Sequence, residues 1–206
     1  MSAAQGTAAW LAERCGCATT SRYSGILATI KNGEAATRKN YRAQLVAERL
    51  TGIPAESSQS KEMLWGTEQE PYARMAYEVR TGLLVVEQGF IKHPACEWAG
   101  ASPDGFVGDD GGGEFKCPNT ATHIDALLKG MPSGHIPQIQ GCMWVCGRQW
   151  WDFVSFDPRM PEKLQLYMQR IVRDDVYIAK LAAEVQTFLA EVEATRKQLM
   201  EISDGS

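Results

Sequence analysis

The stretch ASPDGFVGDDGGGEFKCPN, running from Ala101 to Asn119, decides how this chain is read. Pro103-Asp104-Gly105 is a turn signature that sets Asp104 at the start of a short apolar strand. Gly111-Gly112-Gly113 reads as a glycine turn, and Glu114-Phe115-Lys116 as the strand that follows. Residues two apart on a strand share a face, so Glu114 and Lys116 project together. If the strands pair as a hairpin through GDDGGG, residues 108–113, Asp104 arrives beside Glu114. Two adjacent carboxylates repel unless a cation neutralises them. A set of oxygen ligands, with the Phe115 carbonyl as a further one, suits Mg²⁺ or Mn²⁺ rather than zinc. An ammonium at Lys116 would orient a water on such an ion or stabilise charge building on a phosphate. Taken alone, the same residues also read as a turn aspartate and a solvated Glu-x-Lys pair.

The surrounding composition fits such an enzyme. The 206 residues suit one domain spanning 1–206, with 44% apolar and 22% charged residues. A net charge of −4 argues against a module that simply coats nucleic acid, whose affinity comes from neutralising phosphates. It leaves room for an enzyme that holds DNA by a few local contacts, metal ions and enclosure. No apolar run approaches the roughly 18 residues of a membrane span. The start, MSAAQGTAAWLAERCG, lacks a basic segment followed by an apolar one, so a cytoplasmic location is expected. Six cysteines and three histidines are present, without a Cys-x-x-Cys pair, so the cysteines read as reduced packing residues and not as a zinc site.

Along the chain, Thr20 and Ser21 read as a helix N-cap before an apolar-periodic stretch. TRKNYRAQLVAERLTG spaces Tyr41, Leu45 and Leu50 at helical intervals and stops at Gly52. After the polar loop IPAESSQS, KEMLWGTEQEPYARMAYEVRTG places Glu70, Ala73 and Tyr77 on one helical face, with Gly66 and Pro71 as potential interruptions. LLVVEQGFIKH, WAGAS, GFVG and GEFKC read as a β-meander of three or four strands. TATHIDALLKG and GHIPQIQGCMWVCG read as helices, QWWDFVSFD as a strand, and everything from Pro161 onward as helix. In that last helix Ile178, Leu181, Val185, Phe188 or Leu189, and Val192 share a face. The expected fold is α/β of the α+β kind, a mixed central sheet flanked by helices with a long C-terminal helix.

The ordered landmarks resemble the PD-(D/E)xK nuclease superfamily and, within it, the phage λ exonuclease and YqaJ-like alkaline exonuclease family. WLAERCGCATTS is similar to that family's opening motif, WGTEQEPYAR to its Gly-xxx-Glu motif, ASPDG and EFKCP to its core, and HIPQIQGCMWV to its Gln-x-Gln helix. FDPRM matches a further landmark, read as structural. The resemblance covers most of the chain and implies a restriction-endonuclease-like core.

It also implies a reaction: Mg²⁺-dependent, processive 5′→3′ degradation of one strand of linear double-stranded DNA, with release of nucleoside 5′-monophosphates. A 3′ single strand is left for recombination. Mn²⁺ would substitute for Mg²⁺, with two ions present during catalysis. A homotrimeric ring would thread the DNA, and a single-strand annealing recombinase would be its partner, in a bacterial or phage-infected cell. By this resemblance Asp104, Glu114, the Phe115 carbonyl and Glu70 hold metal, and Lys116 and Gln138 hold the nucleophilic water. Arg14 and Ser21 receive the DNA 5′-phosphate. From the residues alone, Glu70 reads equally as a surface acid paired with Arg74. Gln138 reads as a solvated helix polar, Arg14 as the partner of a nearby acid, and Ser21 as a cap. His135 lies near the site, and Trp65, Trp150 and Trp151 are either base-stacking or core residues. The basic TRKNYR cluster lines a DNA path or solvates a helix. The rival functions are an endonuclease on the same core and a non-catalytic DNA-end-binding recombination protein.

Overall fold

The computed structural model describes residues 3–55 and 60–204, so part of the expected IPAESSQS loop lies outside the described residues. The chain opens with α1 (Ala8–Arg14), capped by the Thr7 hydroxyl, and a two-residue strand β1 (Ala18–Thr19). A 3₁₀ turn at Thr20–Arg22 and a short α2 (Tyr23–Ile26) follow, neither with a side-chain N-cap. The capping role expected of Thr20 and Ser21 is therefore not taken up. Both lie inside the 3₁₀ turn, and Ser21 faces Thr19, their hydroxyls 3.3 Å apart.

Two long helices come next, α3 (Ala36–Thr51) and α4 (Lys61–Thr81), each closed by a left-handed glycine, Gly52 and Gly82. Left-handed backbone is cheap only for glycine, which is why both helices stop there. Pro71 does not break α4, which Ser60 caps at its N-terminus.

The strand region departs from a single meander. β2 (Val85–Val86), β3 (Ile91–His93), β4 (Cys96–Ala101), β5 (Gly105–Val107) and β6 (Gly111–Lys116) divide between two sheets. β4 pairs with β3 and, in parallel, with β1, in the order β1-β4-β3. The chain leaves this sheet at Ser102-Pro103-Asp104, where proline has no N–H for a ladder. It then enters a five-stranded sheet of order β2-β5-β6-β7-β8.

The glycine run also sits elsewhere than expected. Gly111–Gly113 lie inside β6, and the turn is Gly108-Asp109-Asp110. A Cβ on Gly111 or Gly112 would fall inside the rings of Trp150 or Trp151, so these residues are glycine because aromatic rings lie on the strand.

After β6 come α5 (Thr120–Lys129), capped by Asn119, and α6 (Ile136–Cys146). β7 (Trp150–Phe156) runs parallel to β6, and β8 (Leu166–Val172) pairs antiparallel with β7. β8 corrects the expectation of helix from Pro161 onward. Leu166 and Met168 face one apolar cluster while Tyr167 and Ile171 face another, so alternation is hidden by burial on both sides.

The closing helix α7 (Asp175–Asp204) has 30 residues, about 45 Å at 1.5 Å per residue. Leu181, Val185, Phe188 and Val192 pack on Tyr41 and Leu45 of α3, with the Tyr41 and Phe188 rings stacked at 5.6 Å. Leu50, placed on that stripe by spacing, is exposed. α6 packs against strands of both sheets, β3 and β4 on one and β7 on the other.

Candidate active site

β5 and β6 pair antiparallel with Gly105 opposite Gly113. Continuing that register by one residue sets Asp104 opposite Glu114. Asp104 Oδ2 accepts the Phe115 backbone N–H at 2.7 Å. A strand residue directs its N–H and C=O to the same edge, so the Phe115 carbonyl also leaves on the edge where β5 has ended.

Glu114 is fully buried. Its Oε1 accepts from Gln138 Nε2 at 2.6 Å and forms an ion pair with Lys116. Its Oε2 is buried with no hydrogen-bond partner among the described residues. An unpartnered buried carboxylate oxygen is costly, and a bound cation would offset that cost.

The charges act on one another. Burial pushes the Asp104 carboxyl well above the usual range, and Glu114 pushes it further, against the opposing Lys116. Burial pulls the Lys116 ammonium down, but Glu114 and Asp104 outweigh it and hold its pKa above the ordinary lysine value. A divalent ion between the carboxylates would relieve the repulsion that lifts Asp104.

Asp104, Glu114, Lys116 and Gln138 share a cavity of about 180 Å³ with Arg14, Thr19 and Ser21. The structure thus joins residues from α1, the 3₁₀ turn, β6 and α6. Arg14 lies over the Trp10 ring, 3.9 Å from its centroid, and Trp10 Nε1 donates to Ser102 Oγ at 3.1 Å. Burial lowers the Arg14 pKa, and no carboxylate among the described residues pairs with it. Glu48 acts on it only through space, opposing that fall, and a half-buried guanidinium with no direct ion pair is suited to bind an anion.

A profile of the YqaJ-like viral recombinase domain matches residues 9–149, a span that contains every one of these side chains. This chain belongs to the YqaJ-like viral recombinase family. The crystal structure of LHK-Exo, an alkaline exonuclease from Laribacter hongkongensis, matches with a TM-score of 0.90 at 44% identity, over 97% of this chain and 99% of that one. LHK-Exo in complex with dAMP gives the same TM-score, 0.90, and the same identity, 44%. A phage-related exonuclease from Haemophilus somnus 129PT shares the fold, with a TM-score of 0.69 at 20% identity over 92% of this chain and 96% of that one. No curated protein sequence matches the chain.

Other residues of this YqaJ-like chain lie outside the small cavity. Lys116 also lines a larger, neighbouring cavity of about 450 Å³, with Glu70, His135 and Phe153. Glu70 pairs with Arg74, and burial raises its pKa, with Glu114 adding to the rise and Arg74 and Lys116 opposing it. Among the described residues no three His, Cys, Asp or Glu side chains converge as a metal cage. Asp104 and Glu114 stand opposite each other, while Glu70 lines the neighbouring cavity with Lys116 and its charge still acts on Asp104. His135 rests against Phe153, ring centroids 5.1 Å apart.

The tryptophans divide. Trp151 is core, Trp150 lies under Arg170 at 3.6 Å, and Trp65 lies under Arg159 at 4.7 Å. Arg38 and Arg42 of the basic cluster are tied to Glu34 and Glu191. The FDPRM aspartate, Asp157, is buried and holds Arg159 and Thr120. All six cysteines are free. Among the described residues no helix is long and apolar enough to cross a membrane.

Sequence reasoning passed over Trp10 and Thr19 as cavity residues, and Gln140, which ties α6 to the β8–α7 connection through Val172 O and Asp174 N–H. For Thr19 the hydroxyl run Thr19-Thr20-Ser21 was an available signal.

Proposed function

We propose that this protein is a divalent-metal-dependent exonuclease that degrades one strand of linear double-stranded DNA from its 5′ end, releasing nucleoside 5′-monophosphates and leaving a 3′ single strand. The observation that carries this reading is the cavity of about 180 Å³ with Arg14 and Ser21 on its wall together with Asp104, Glu114, Lys116 and Gln138. An anion grip and a carboxylate pair in one small space favour a cut measured from a terminal phosphate. On this reading hydrolysis is end-dependent.

Asp104, Glu114 through Oε2, and the Phe115 carbonyl would hold Mg²⁺, with Mn²⁺ as a substitute and Glu70 supporting a second ion or its waters. Such an ion supplies an acidified water and polarises the phosphoryl oxygen. Lys116 keeps its charge beside Glu114 and positions the attacking water near the phosphorus. Gln138 fixes Glu114 so that one oxygen stays directed at the cation. Arg14, braced by Trp10, and Ser21 hold the 5′-phosphate by charge-assisted hydrogen bonds.

The same reading makes the chain a single domain, 1–206, that works as a homotrimeric ring around the DNA beside a single-strand annealing recombinase. It places the enzyme in the cytoplasm of a bacterial or phage-infected cell. Enclosure would account for processive action by a protein of net charge −4. Exposed Tyr72, Met75 and Val79, along one face of α4, offer apolar surface for subunit contact.

The test uses end-labelled linear duplex and covalently closed circular duplex, each with Mg²⁺ and with EDTA. Release of the 5′ label as mononucleotide from linear DNA alone, abolished by EDTA, is expected. Digestion of the circle would establish an endonuclease instead, and digestion of neither an end-binding protein.

A further inference from the structure

A third cavity, of about 340 Å³, adjoins the small one on the side of α1 and α3. Trp10, Arg14, Thr19 and Ser21 line both. Asp104, Glu114 and Lys116 line only the smaller, while Arg22, Tyr41 and Gln44 line only the larger. The Arg14–Ser21 grip is therefore a waist between two spaces and not an end wall. A 5′-monophosphate end held at that waist would place no atoms in the larger cavity.

The larger cavity has the chemistry of an anion site. The Arg22 guanidinium lies over the Tyr41 ring at 4.5 Å, and no carboxylate among the described residues pairs with it. One acid, Glu48, lines the space, but its oxygens face N–H donors: Gly16 at 2.7 Å, Gln44 Nε2 at 2.8 Å and Ala55 at 3.2 Å. The Thr19 and Ser21 hydroxyls stand at the waist, 3.3 Å apart.

We propose that this cavity is a rear subsite for phosphate groups that extend a 5′ end beyond its first phosphate, with Arg22 as its cation, so that 5′-triphosphate ends are substrates. The inference rests on the exonuclease reading above. The bond broken is the ordinary one. Water attacks the phosphorus of the second nucleotide, the O3′ of the first leaves and takes up a proton, and the terminal residue departs as a nucleoside 5′-triphosphate. No further reactant is needed.

The experiment compares one duplex with a 5′-monophosphate, 5′-triphosphate or 5′-hydroxyl end, with products resolved by anion exchange. Wild-type protein is expected to cut the triphosphate end within about threefold of the monophosphate end and to release a nucleoside triphosphate first. Losing one charge-assisted contact in Arg22→Ala should lower the triphosphate-to-monophosphate rate ratio about tenfold. Arg22→Lys should recover part of that ratio, as a point charge without the guanidinium fork. A triphosphate end cut no faster than a hydroxyl end, or a ratio that Arg22→Ala leaves alone, overturns the proposal. Failure on the monophosphate end overturns the exonuclease reading beneath it.

Discussion

Gln138 Nε2 donates to Glu114 Oε1 at 2.6 Å, so α6 fixes one oxygen of a strand carboxylate whose other oxygen, Oε2, stays buried without a partner. Removing this brace frees the carboxylate to rotate. Gln138→Ala is expected to lower kcat about tenfold, the worth of one hydrogen bond to a charged group, and to raise the Mg²⁺ concentration needed for half-maximal rate. Steady-state kinetics across a Mg²⁺ titration check it, and an unchanged Mg²⁺ requirement would count against the brace.

Lys116 lines the cavities of about 180 and 450 Å³ and is held charged by Glu114 and Asp104. Lys116→Ala should still bind duplex ends, read by fluorescence anisotropy, while kcat falls by about 10²–10³-fold, the usual effect of removing one stabilising donor. Substantial residual cutting would remove Lys116 from the chemistry.

Arg14 carries a guanidinium over Trp10 and forms no ion pair among the described residues. Arg14→Ala should cut the preference for 5′-phosphate over 5′-hydroxyl ends by roughly 10–100-fold, a loss of about 1.5–3 kcal/mol. Equal loss on both kinds of end would show that Arg14 serves the fold and not the phosphate.

Asp104 offers a pH-dependent test of metal binding. Burial and Glu114 raise its folded pKa, so the folded chain without metal holds a proton that the unfolded chain gives up above 3.8. Stability without metal therefore declines as pH rises above 3.8. Asp104→Asn is expected to raise Tm in EDTA at neutral pH, less so at pH 4, and to abolish the Tm gain on adding Mg²⁺. A lower Tm in EDTA would contradict a repelling pair.

Asp157 works in the opposite direction. Burial alone would raise its pKa, but hydrogen bonds from Arg159 and Thr120 outweigh burial and hold it at about 2 against 3.8 unfolded. This contribution is complete above 3.8 and is lost as pH falls toward 2. Asp157→Asn should cost about 2 kcal/mol at pH 7, with the gap closing at acid pH. Urea melts at several pH values measure it, and a gap constant with pH would rule out the linkage.

What the sequence disclosed was local. Turn chemistry at Pro103-Asp104-Gly105 and the two-residue strand period were enough to set Asp104 beside the strand that carries Glu114 and Lys116. Helix stops at Gly52 and Gly82 were readable for the same reason. What stayed hidden depends on contacts between distant segments. β8 looked helical because apolar residues occupy both its faces, and the strand run split where Pro103 moves the chain between sheets. The glycine run looked like a turn because the indoles covering it come from residues 150 and 151. Arg14 and Ser21 were named only through family likeness, and Arg22 gained meaning only when α3 closed a cavity behind it.

The three glycines of β6 set a limit on how this protein can change. Trp150 and Phe115 press on the bare α-carbons of Gly111 and Gly113 from one face and Trp151 on that of Gly112 from the other, so even an alanine there would have to displace a ring packed beside Glu114. Divergence can proceed freely over the helical exterior, yet the ribbon bearing the reactive acid has no spare volume in which to drift.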